Sequence, residues 1–236
     1  MKLDRFTYSK ALSIVRESDY AHPGESQSID MLLEIFPKQL DTSILDFGCG
    51  LGGTLAYIRE HGYRKIKGFD INTESIDFAK KKYGHDDFLH SLDNYDKQFD
   101  LIYSINVFYL IENKKDVLNR LYSKSVKDSM LFVSDFSYQT DQVQNKLKEY
   151  IPHAFHFKKP LNGNENKWKI YKKIDISNRY VEWYDDFVKK IKSKKDRVTE
   201  IAGSDYYDYM LRKYRYLLEL LKENSLGGFI LILQRT

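Results

Sequence analysis

Residues that cross-link or kink a polypeptide are scarce in this chain. Its 236 residues include one cysteine, four prolines and two tryptophans. A single cysteine excludes an intramolecular disulfide, so the chain is not a disulfide-stapled domain. The sequence also lacks internal repeats, Pro/Gly/Ser-rich tracts and any apolar run near the ~20 residues of a membrane helix. These absences predict one globular unit with no membrane partner.

A large excess of one charge is absent as well. The chain has 38 basic and 34 acidic residues, a net charge of +4, and the basic residues lie in short runs such as 80–82. Because nucleic-acid-binding proteins usually carry a basic stripe interleaved with aromatic residues, we expect no nucleic-acid partner. The polar first residues, MKLDRFTYSK, argue against a signal peptide and predict a cytoplasmic protein.

A short apolar strand followed by closely spaced glycines is the most informative motif. Residues 44–53 read ILDFGCGLGG. Glycine lacks a Cβ, so the backbone of such a turn can approach a ligand closely before a helix begins. Asp70 ends a second apolar run, at the roughly 20-residue distance where a carboxylate accepts hydrogen bonds from ribose hydroxyls. The motif predicts a βαβ unit that binds a nucleotide-type cofactor.

Two cofactor classes satisfy this spacing. Gly48, Gly50 and Gly53 fit the dinucleotide pattern G-x-G-x-x-G, which leaves NAD open. Asp46 inside the first strand and the block FDLIYS at 99–104 separate the two classes, because together they resemble the class I S-adenosylmethionine (SAM) methyltransferases. The block SMLFVSDF at 129–136 resembles the fifth strand of that family. The resemblance favours SAM over NAD.

The resemblance also implies where the cofactor binds. In this family the D-x-G-x-G turn wraps the amino acid end of SAM, and the acid after the second strand holds the ribose. The implied cofactor residues are Asp46, Gly48, Cys49, Gly50, Asp70, Ile71, Ser91, Leu92 and Ser104. We interpret the Cys49 side chain as packing, because no adjacent histidine is visible that would activate it as a nucleophile.

The alternation of apolar strands and amphipathic segments predicts an α/β fold. We expect a Rossmann-like doubly wound sheet, mainly parallel with an antiparallel last strand. Strands are expected near 43–47, 65–70, 87–90, 98–104, 129–135, 168–174 and 226–233, and helices starting near 28, 52, 73, 114 and 140. Asn72 or Thr73 is expected to cap the helix after Asp70.

One methyltransferase domain is expected to fill residues 1–236. Its expected parts are an N-terminal lid (1–40), a SAM-binding core (41–136), a segment with a lid loop, the sixth strand and a helical substrate cap (137–224), and a final strand (225–236).

The region after residue 136 resembles a narrower branch of the family. A helical cap before the last strand, with Tyr20-x-His22-Pro23-Gly24 ahead of the glycine turn, is similar to the methyltransferases of phosphoethanolamine, glycine and sarcosine. This similarity implies that the N-terminal segment and the cap close over SAM and a small polar substrate.

Two departures from that branch bear on the chemistry. Asn106 and Leu110 stand where the branch has an acid and a histidine that assist amine deprotonation. Ser91-Leu92 stands in place of the carboxylate that contacts the adenine amino group. Methyl transfer from a sulfonium is an in-line displacement that needs a base only when the nucleophile starts protonated. The missing pair therefore favours a nucleophile that is already anionic or neutral.

Candidate catalytic and substrate residues follow from motif position and chemistry. The catalytic candidates are Tyr20, Asn106, Tyr109 and Asp135. The substrate-binding candidates are His22, Trp168, Tyr180, Tyr184, Arg212 and Arg215. Aromatic side chains can surround a cation, and arginine can hold a phosphate or carboxylate with two hydrogen bonds. The alternatives are core packing for the aromatic residues, turn formation for His22 and solvated helix faces for the arginines.

No metal site is expected. His153 and His156 stand at a spacing that could chelate zinc, but neither a cysteine cluster nor an H-E-x-x-H motif accompanies them. We interpret residues 151–163 as an irregular lid loop, with Lys158, Lys159 and Lys167 around it.

The sequence therefore predicts a SAM-dependent methyltransferase that acts on a small polar metabolite, an amine or a phosphorylated small molecule, as a monomer or homodimer. Two alternatives stay open. One is an O-methyltransferase for a phosphate or sugar-linked metabolite of surface-glycan biosynthesis. The other is a non-catalytic SAM-binding protein.

Overall fold

The strands form one seven-stranded sheet in the order β3-β2-β1-β4-β5-β7-β6. The computed structural model describes residues 4–36, 39–138, 143, 145, 147, 148, 150, 151 and 167–236. The strands are β1 (Ile44–Phe47), β2 (Ile66–Phe69), β3 (Phe88–Leu89), β4 (Phe99–Ile105), β5 (Ser125–Tyr138), β6 (Trp168–Asp175) and β7 (Leu226–Arg235). The helices are α1 (Arg5–Arg16), α2 (Glu25–Ile35), α3 (Gly53–Glu60), α4 (Thr73–Tyr83), α5 (Lys114–Ser123), α6 (Ser177–Ser193), α7 (Lys195–Ala202) and α8 (Ser204–Lys222).

The strand directions confirm the predicted fold class. Strands β1 to β5 pair in parallel, β7 runs antiparallel to β5, and β6 runs antiparallel to β7. The predicted cap on α4 is also present, since the Asn72 side chain accepts a hydrogen bond from Ser75 N at 2.7 Å. Strand β5 is longer than predicted because a register shift between Phe99 and Leu101 lets it pair from Ser125 onward. The expected helix near 140 and most of the expected lid loop, with His153, His156, Lys158 and Lys159, lie outside the described residues.

The sheet has one apolar cluster on each face. Alternate residues of a strand point to opposite faces, so Ile44 joins one cluster and Leu45 joins the other. The larger cluster contains residues of α1, α2, α6 and α8, while the smaller contains Leu118 and Leu121 of α5. The helices between β6 and β7 therefore cover the same face of the sheet as the N-terminal helices.

Trp168 belongs to the smaller cluster. Its indole Nε1 donates a hydrogen bond to the Leu118 carbonyl at 3.0 Å, and its ring meets Tyr122 edge to face with the centroids 5.7 Å apart. Trp168 thus joins β6 to α5, on the face of the sheet opposite to the N-terminal helices and the helices between β6 and β7.

Among the described strands, β6 lies at one edge of the sheet. Its pairing with β7 shifts register between Ile170 and Lys172. Lys169 and Lys172 are exposed on this strand, and Tyr171 is 65% exposed.

Residues 17–24 join α1 to α2 and lie across the start of α3. His22 is buried there: its Nε2 lies 2.9 Å from Thr54 Oγ1 and its Nδ1 lies 3.0 Å from Ser28 Oγ. A Cβ on Gly53 would lie 2.6 Å from the carbonyl carbon of Asp19, so this approach requires a glycine. The segment between the two N-terminal helices is therefore held directly against α3.

Asp19 ties the same segment to α4. Its carboxylate accepts hydrogen bonds from Lys82 Nζ at 2.5 Å, from the Tyr83 hydroxyl at 2.6 Å and from Ser13 Oγ at 2.7 Å. On the other side, Glu25 pairs with Lys190 of α6 at 3.1 Å. The N-terminal part of the chain thus contacts both the glycine-turn region and the helices before β7.

Trp168→Phe should lower the free energy of unfolding by about 1–3 kcal/mol, because it removes the hydrogen bond to Leu118 and leaves unfilled space between β6 and α5. Urea denaturation at neutral pH measures this difference. Tyr171→Phe on the same strand is the matched control and should change stability by less than about 0.5 kcal/mol. Equal effects of the two variants would contradict the structural role of Trp168.

His22 should make the fold less stable in mild acid. Burial, with a smaller effect of Arg16, lowers the pKa of His22 to about 3, whereas an unfolded histidine titrates near 6.5. The unfolded chain therefore binds a proton below about pH 6.5 that the native chain does not, and this contribution to stability falls as the pH drops. Between pH 7 and pH 5 the loss should be about 2 kcal/mol.

Urea denaturation of His22→Gln at the two pH values tests this expectation. The variant should be less stable than the wild type at pH 7, yet its stability should depend less on pH. His90→Gln, which changes an exposed histidine, should keep the pH dependence of the wild type. An unchanged pH dependence in His22→Gln would argue against a neutral, buried His22.

Candidate active site

The predicted glycine turn lies at the carboxyl end of β1. Gly48 N and Cys49 N both donate hydrogen bonds to the Phe69 carbonyl, at 2.7 and 3.0 Å, which fixes the turn against β2. Gly48 has φ +89°, and a Cβ at this position would lie 2.3 Å from Val107 Cγ2. A side chain there is excluded by both the backbone conformation and the neighbouring loop after β4.

Asp70 braces this turn and keeps room for a ligand. One carboxylate oxygen accepts from Gly50 N at 2.9 Å, and the other accepts from Asn72 N at 2.9 Å. A carboxylate has about four lone-pair positions, so each oxygen retains capacity for one further donor. Asp70 can therefore receive the two hydroxyls of a ribose while it holds the turn.

Asp46 lies buried beneath the turn. One of its carboxylate oxygens, Oδ2, has no hydrogen-bond partner among the described residues. Burial raises the pKa of Asp46 to about 8, with Asp70 adding to the rise and Tyr103 opposing it. A cationic group placed here would satisfy the free oxygen and return the carboxylate to its charged form.

These groups fit SAM, which carries an ammonium at its amino acid end and a ribose. Asp46 matches the ammonium, and Asp70 matches the ribose diol. Ser104, near the end of β4, is also fully buried, and its hydroxyl has no hydrogen-bond partner in the described part of the chain.

The other predicted cofactor residues occupy different environments. Ile71 is 70% exposed directly after Asp70, and the Ser91 hydroxyl donates to Asp93 at 3.0 Å. The Leu92 side chain is buried in the smaller apolar cluster, so only its backbone is left for a ligand. Burial raises the pKa of the Cys49 thiol, and its sulfur lies against Gly68, in agreement with packing.

A small cavity lies on the same side of the sheet as the N-terminal segment. Its described lining residues are Ala21, Pro23, Asn106, Tyr109, Phe136, Tyr150, Ile151, Tyr184, Lys213, Tyr214 and Leu217. Its free volume is about 20 Å³, which is room for about one water molecule. Ala21 also lies 3.7 Å from where a Cβ of Gly50 would be, so the cavity adjoins the glycine turn.

Three of the predicted catalytic and substrate residues meet in this cavity, namely Asn106, Tyr109 and Tyr184. Tyr180 is not part of the described lining, but it contacts Asn106: its hydroxyl donates to Asn106 Oδ1 at 2.9 Å. Asn106 itself has φ +54° and donates its backbone N–H to the Ser134 carbonyl at 2.8 Å. The exit of β4 is therefore held from both β5 and α6.

Asp135 is not among the described residues that line the cavity. Its two carboxylate oxygens accept hydrogen bonds from Tyr109 N at 2.9 Å and Phe136 N at 2.8 Å. The reason is strand alternation: Phe136 points to the cavity, so its neighbour Asp135 points to the opposite face. Burial raises the pKa of Asp135 to about 7, while these amides and Lys114 oppose the rise. Asp135 fixes the turn that carries Tyr109.

The remaining predicted residues lie apart from the cavity. His22 anchors the N-terminal segment, and Trp168 lies across the sheet. Tyr20 packs edge to face with Tyr57 at a centroid distance of 6.2 Å, on the α3 side of the segment. Arg212 and Arg215 lie on the exposed side of α8, where they line a separate surface groove. The structure brings none of these five into the cavity.

Sequence reasoning missed Lys213, which the structure places in the cavity lining. The residue is only 8% exposed. It lies on the apolar side of α8 between Met210 and Leu217, which are both buried. A lysine at helical spacing within an apolar stripe was the available signal.

The described residues contain neither a candidate membrane span nor a candidate metal-binding cluster. No helix there is both long and apolar enough to cross a bilayer. No group of three or more histidine, cysteine or acidic residues in that part of the chain is arranged to hold a metal ion.

Comparison with known proteins identifies the family. Residues 20–168 match the family model described as "Methyltransferase domain". The phosphoethanolamine N-methyltransferase of Plasmodium falciparum is 23% identical over 152 residues, which cover 60% of this chain and 57% of that protein. The chain therefore spans little more than half of that relative.

Solved structures agree in fold. Phosphoethanolamine N-methyltransferase 2 of Haemonchus contortus superposes with a TM-score of 0.82 at 16% identity, covering 98% of this chain and 57% of that one. A putative sarcosine dimethylglycine methyltransferase of Galdieria sulphuraria gives a TM-score of 0.77 at 12% identity, covering 89% of this chain and 85% of that one. The match to the methyltransferase family model favours SAM over NAD as the cofactor. The chain belongs to the methyltransferase-domain family and has the Rossmann-like fold of the class I SAM-dependent methyltransferases.

Proposed function

We propose that the protein transfers the methyl group of SAM to a small polar metabolite. The observation that carries the proposal is the cavity beside the glycine turn, lined at once by the N-terminal segment, the ends of β4 and β5, and the helices before β7. Because the cavity has room for about one water molecule in this structure, its side chains would have to move apart to admit a small metabolite, which these parts of the chain would then surround. A macromolecular acceptor would need an open surface instead.

The relatives support the same class of acceptor. The curated relative is named for phosphoethanolamine, and one similar structure is titled for sarcosine and dimethylglycine. All three are small and polar. For this chain they indicate the size and polarity of the acceptor.

The chain itself supplies binding, orientation and exclusion of water. Bound SAM supplies an electrophilic methyl group on a positively charged sulfur. Asp46 and Asp70 hold the two ends of the cofactor site, and residues 17–24 cover the turn. Asn106 and Tyr109 would meet the acceptor, with Tyr180 and Asp135 fixing their positions. Holding two reactants in line in a dry site accounts for much of the acceleration that such a displacement needs.

The purified protein should convert SAM to S-adenosylhomocysteine (SAH) when a suitable acceptor is added. Ethanolamine, phosphoethanolamine, glycine, sarcosine, glycolate and glycerol phosphate form a panel that separates amines from anions. Chromatographic measurement of SAH, with no-acceptor samples as the control, tests the activity. Tight SAH binding without turnover on any acceptor would favour a non-catalytic SAM-binding protein.

Asp70→Asn should weaken SAH binding by roughly 10- to 150-fold, because an amide group cannot both accept from the turn and receive two ribose hydroxyls. Isothermal titration calorimetry measures the dissociation constant. Asp77→Asn, on the exposed side of α4, is the matched control and should bind SAH as the wild type does. A similar affinity in all three proteins would contradict the ribose role of Asp70.

A further inference from the structure

The polar side chains of the described cavity lining are one amide, one ammonium group and four tyrosine hydroxyls, all of which can donate hydrogen bonds. Those in the described lining are Asn106, Tyr109, Tyr150, Tyr184, Lys213 and Tyr214. None carries a carboxylate or an imidazole. Burial raises the pKa of the Tyr109 and Tyr184 hydroxyls, so both stay protonated at neutral pH. The described lining therefore offers an ammonium group no anionic partner.

The Asn106 amide is oriented by its neighbours. Its oxygen accepts the hydroxyl of Tyr180 at 2.9 Å. The Tyr180 ring is pressed against β7, since a Cβ on Gly228 would lie 2.4 Å from it. Asn106 can still donate from its NH₂ group, and its oxygen keeps one further lone pair. This residue, which stands where the related branch has an acid, is neutral and therefore brings no negative charge to the cavity.

Lys213 has no counter-ion in the part of the chain that the structure describes. Among the described residues its ammonium makes neither a hydrogen bond nor an ion pair, and its Nζ lies 5.2 Å from the ring centroid of Tyr8 and 5.6 Å from that of Tyr214. A buried ammonium without an anion is costly, and burial lowers the pKa of Lys213 to about 8. An anionic ligand would remove that cost.

The described neighbours of Lys213 carry no negative charge to offset its own. Its Nζ lies near the rings of Tyr8 of α1 and Tyr214 of α8, and the tyrosines Tyr109, Tyr150 and Tyr184 line the same cavity. Burial raises the pKa of Tyr214 and Arg16 opposes the rise; this arginine is positive, and it pairs with Glu25 at 3.3 Å.

We propose that the atom methylated in this cavity is an oxygen of a carboxylate or phosphate group whose charge is held by Lys213. The proposal rests on the methyl transfer proposed above. A lone pair of the oxyanion forms the new O–CH₃ bond while the S–CH₃ bond breaks, and its electron pair stays on sulfur as the thioether of SAH. No proton is gained or lost, so the absence of a base in the described lining is accounted for.

Calorimetric titration of the SAH-loaded protein with acetate, inorganic phosphate and ethylammonium tests the proposal. Acetate or phosphate should bind, and comparison of the two identifies the acid, while ethylammonium should not bind. Lys213→Met should weaken anion binding at least tenfold, and Lys213→Arg should keep it within about threefold, because arginine retains the charge. Lys222→Met, an exposed lysine on the same helix, should leave it unchanged.

The pH dependence gives a second test. Acetate stays ionised between pH 7 and pH 9, whereas Lys213 loses its proton through about pH 8, so acetate should bind about tenfold more weakly at pH 9. If Lys213 instead accepted a proton from an amine, the pH dependence would be reversed. Ethylammonium would then bind, and Lys213→Arg would be inactive.

Several results would overturn the proposal. They are binding of ethylammonium in place of the anions, anion binding that Lys213→Met leaves unchanged, or no anion binding to the SAH complex. Failure of SAH itself to bind would instead overturn the proposed function, so the two failures are distinguishable.

Discussion

The close approach of the N-terminal segment to α3 is the contact on which the site depends. It is possible because Gly53 has no side chain where the Asp19 backbone passes. His22 then reaches Thr54, and Asp19 reaches Lys82 and Tyr83. Through these contacts Ala21 and Pro23 form one wall of the cavity. Without them the glycine turn would still exist, but the acceptor side would lose that wall.

The proposed cofactor residues could be named from the sequence because their chemistry is local. A glycine turn, the acid before it and the acid after the next strand lie in short stretches with fixed spacing, and in the structure Asp70 accepts a hydrogen bond from the turn. The sheet order follows in the same way from alternating strands and helices. In each case neighbouring residues carry the information.

Asn106, Tyr109 and Tyr184 were named from the sequence and line the cavity, but the rest of the proposed acceptor half could not be predicted, because it depends on side-chain direction across distant elements. Asp135 and Phe136 are adjacent, yet only Phe136 faces the cavity. Trp168 looked suitable for a cation, but β6 turns it towards α5. Lys213 lies within an apolar stripe of the sequence. Only the packing of α8 beside Tyr8 of α1 shows that its side chain lines the cavity. A shared fold leaves these choices open, which is why the family does not name the acceptor.

The edge strand β6 bears on how copies of the chain can meet. An unpaired strand edge is a template for pairing with another chain, and lysines and bulges are common ways to block that pairing. Strand β6 has both, with Lys169 and Lys172 exposed and a register shift between Ile170 and Lys172. Continuation of the sheet from one copy into the next is therefore disfavoured at this edge, and self-association would have to use another surface.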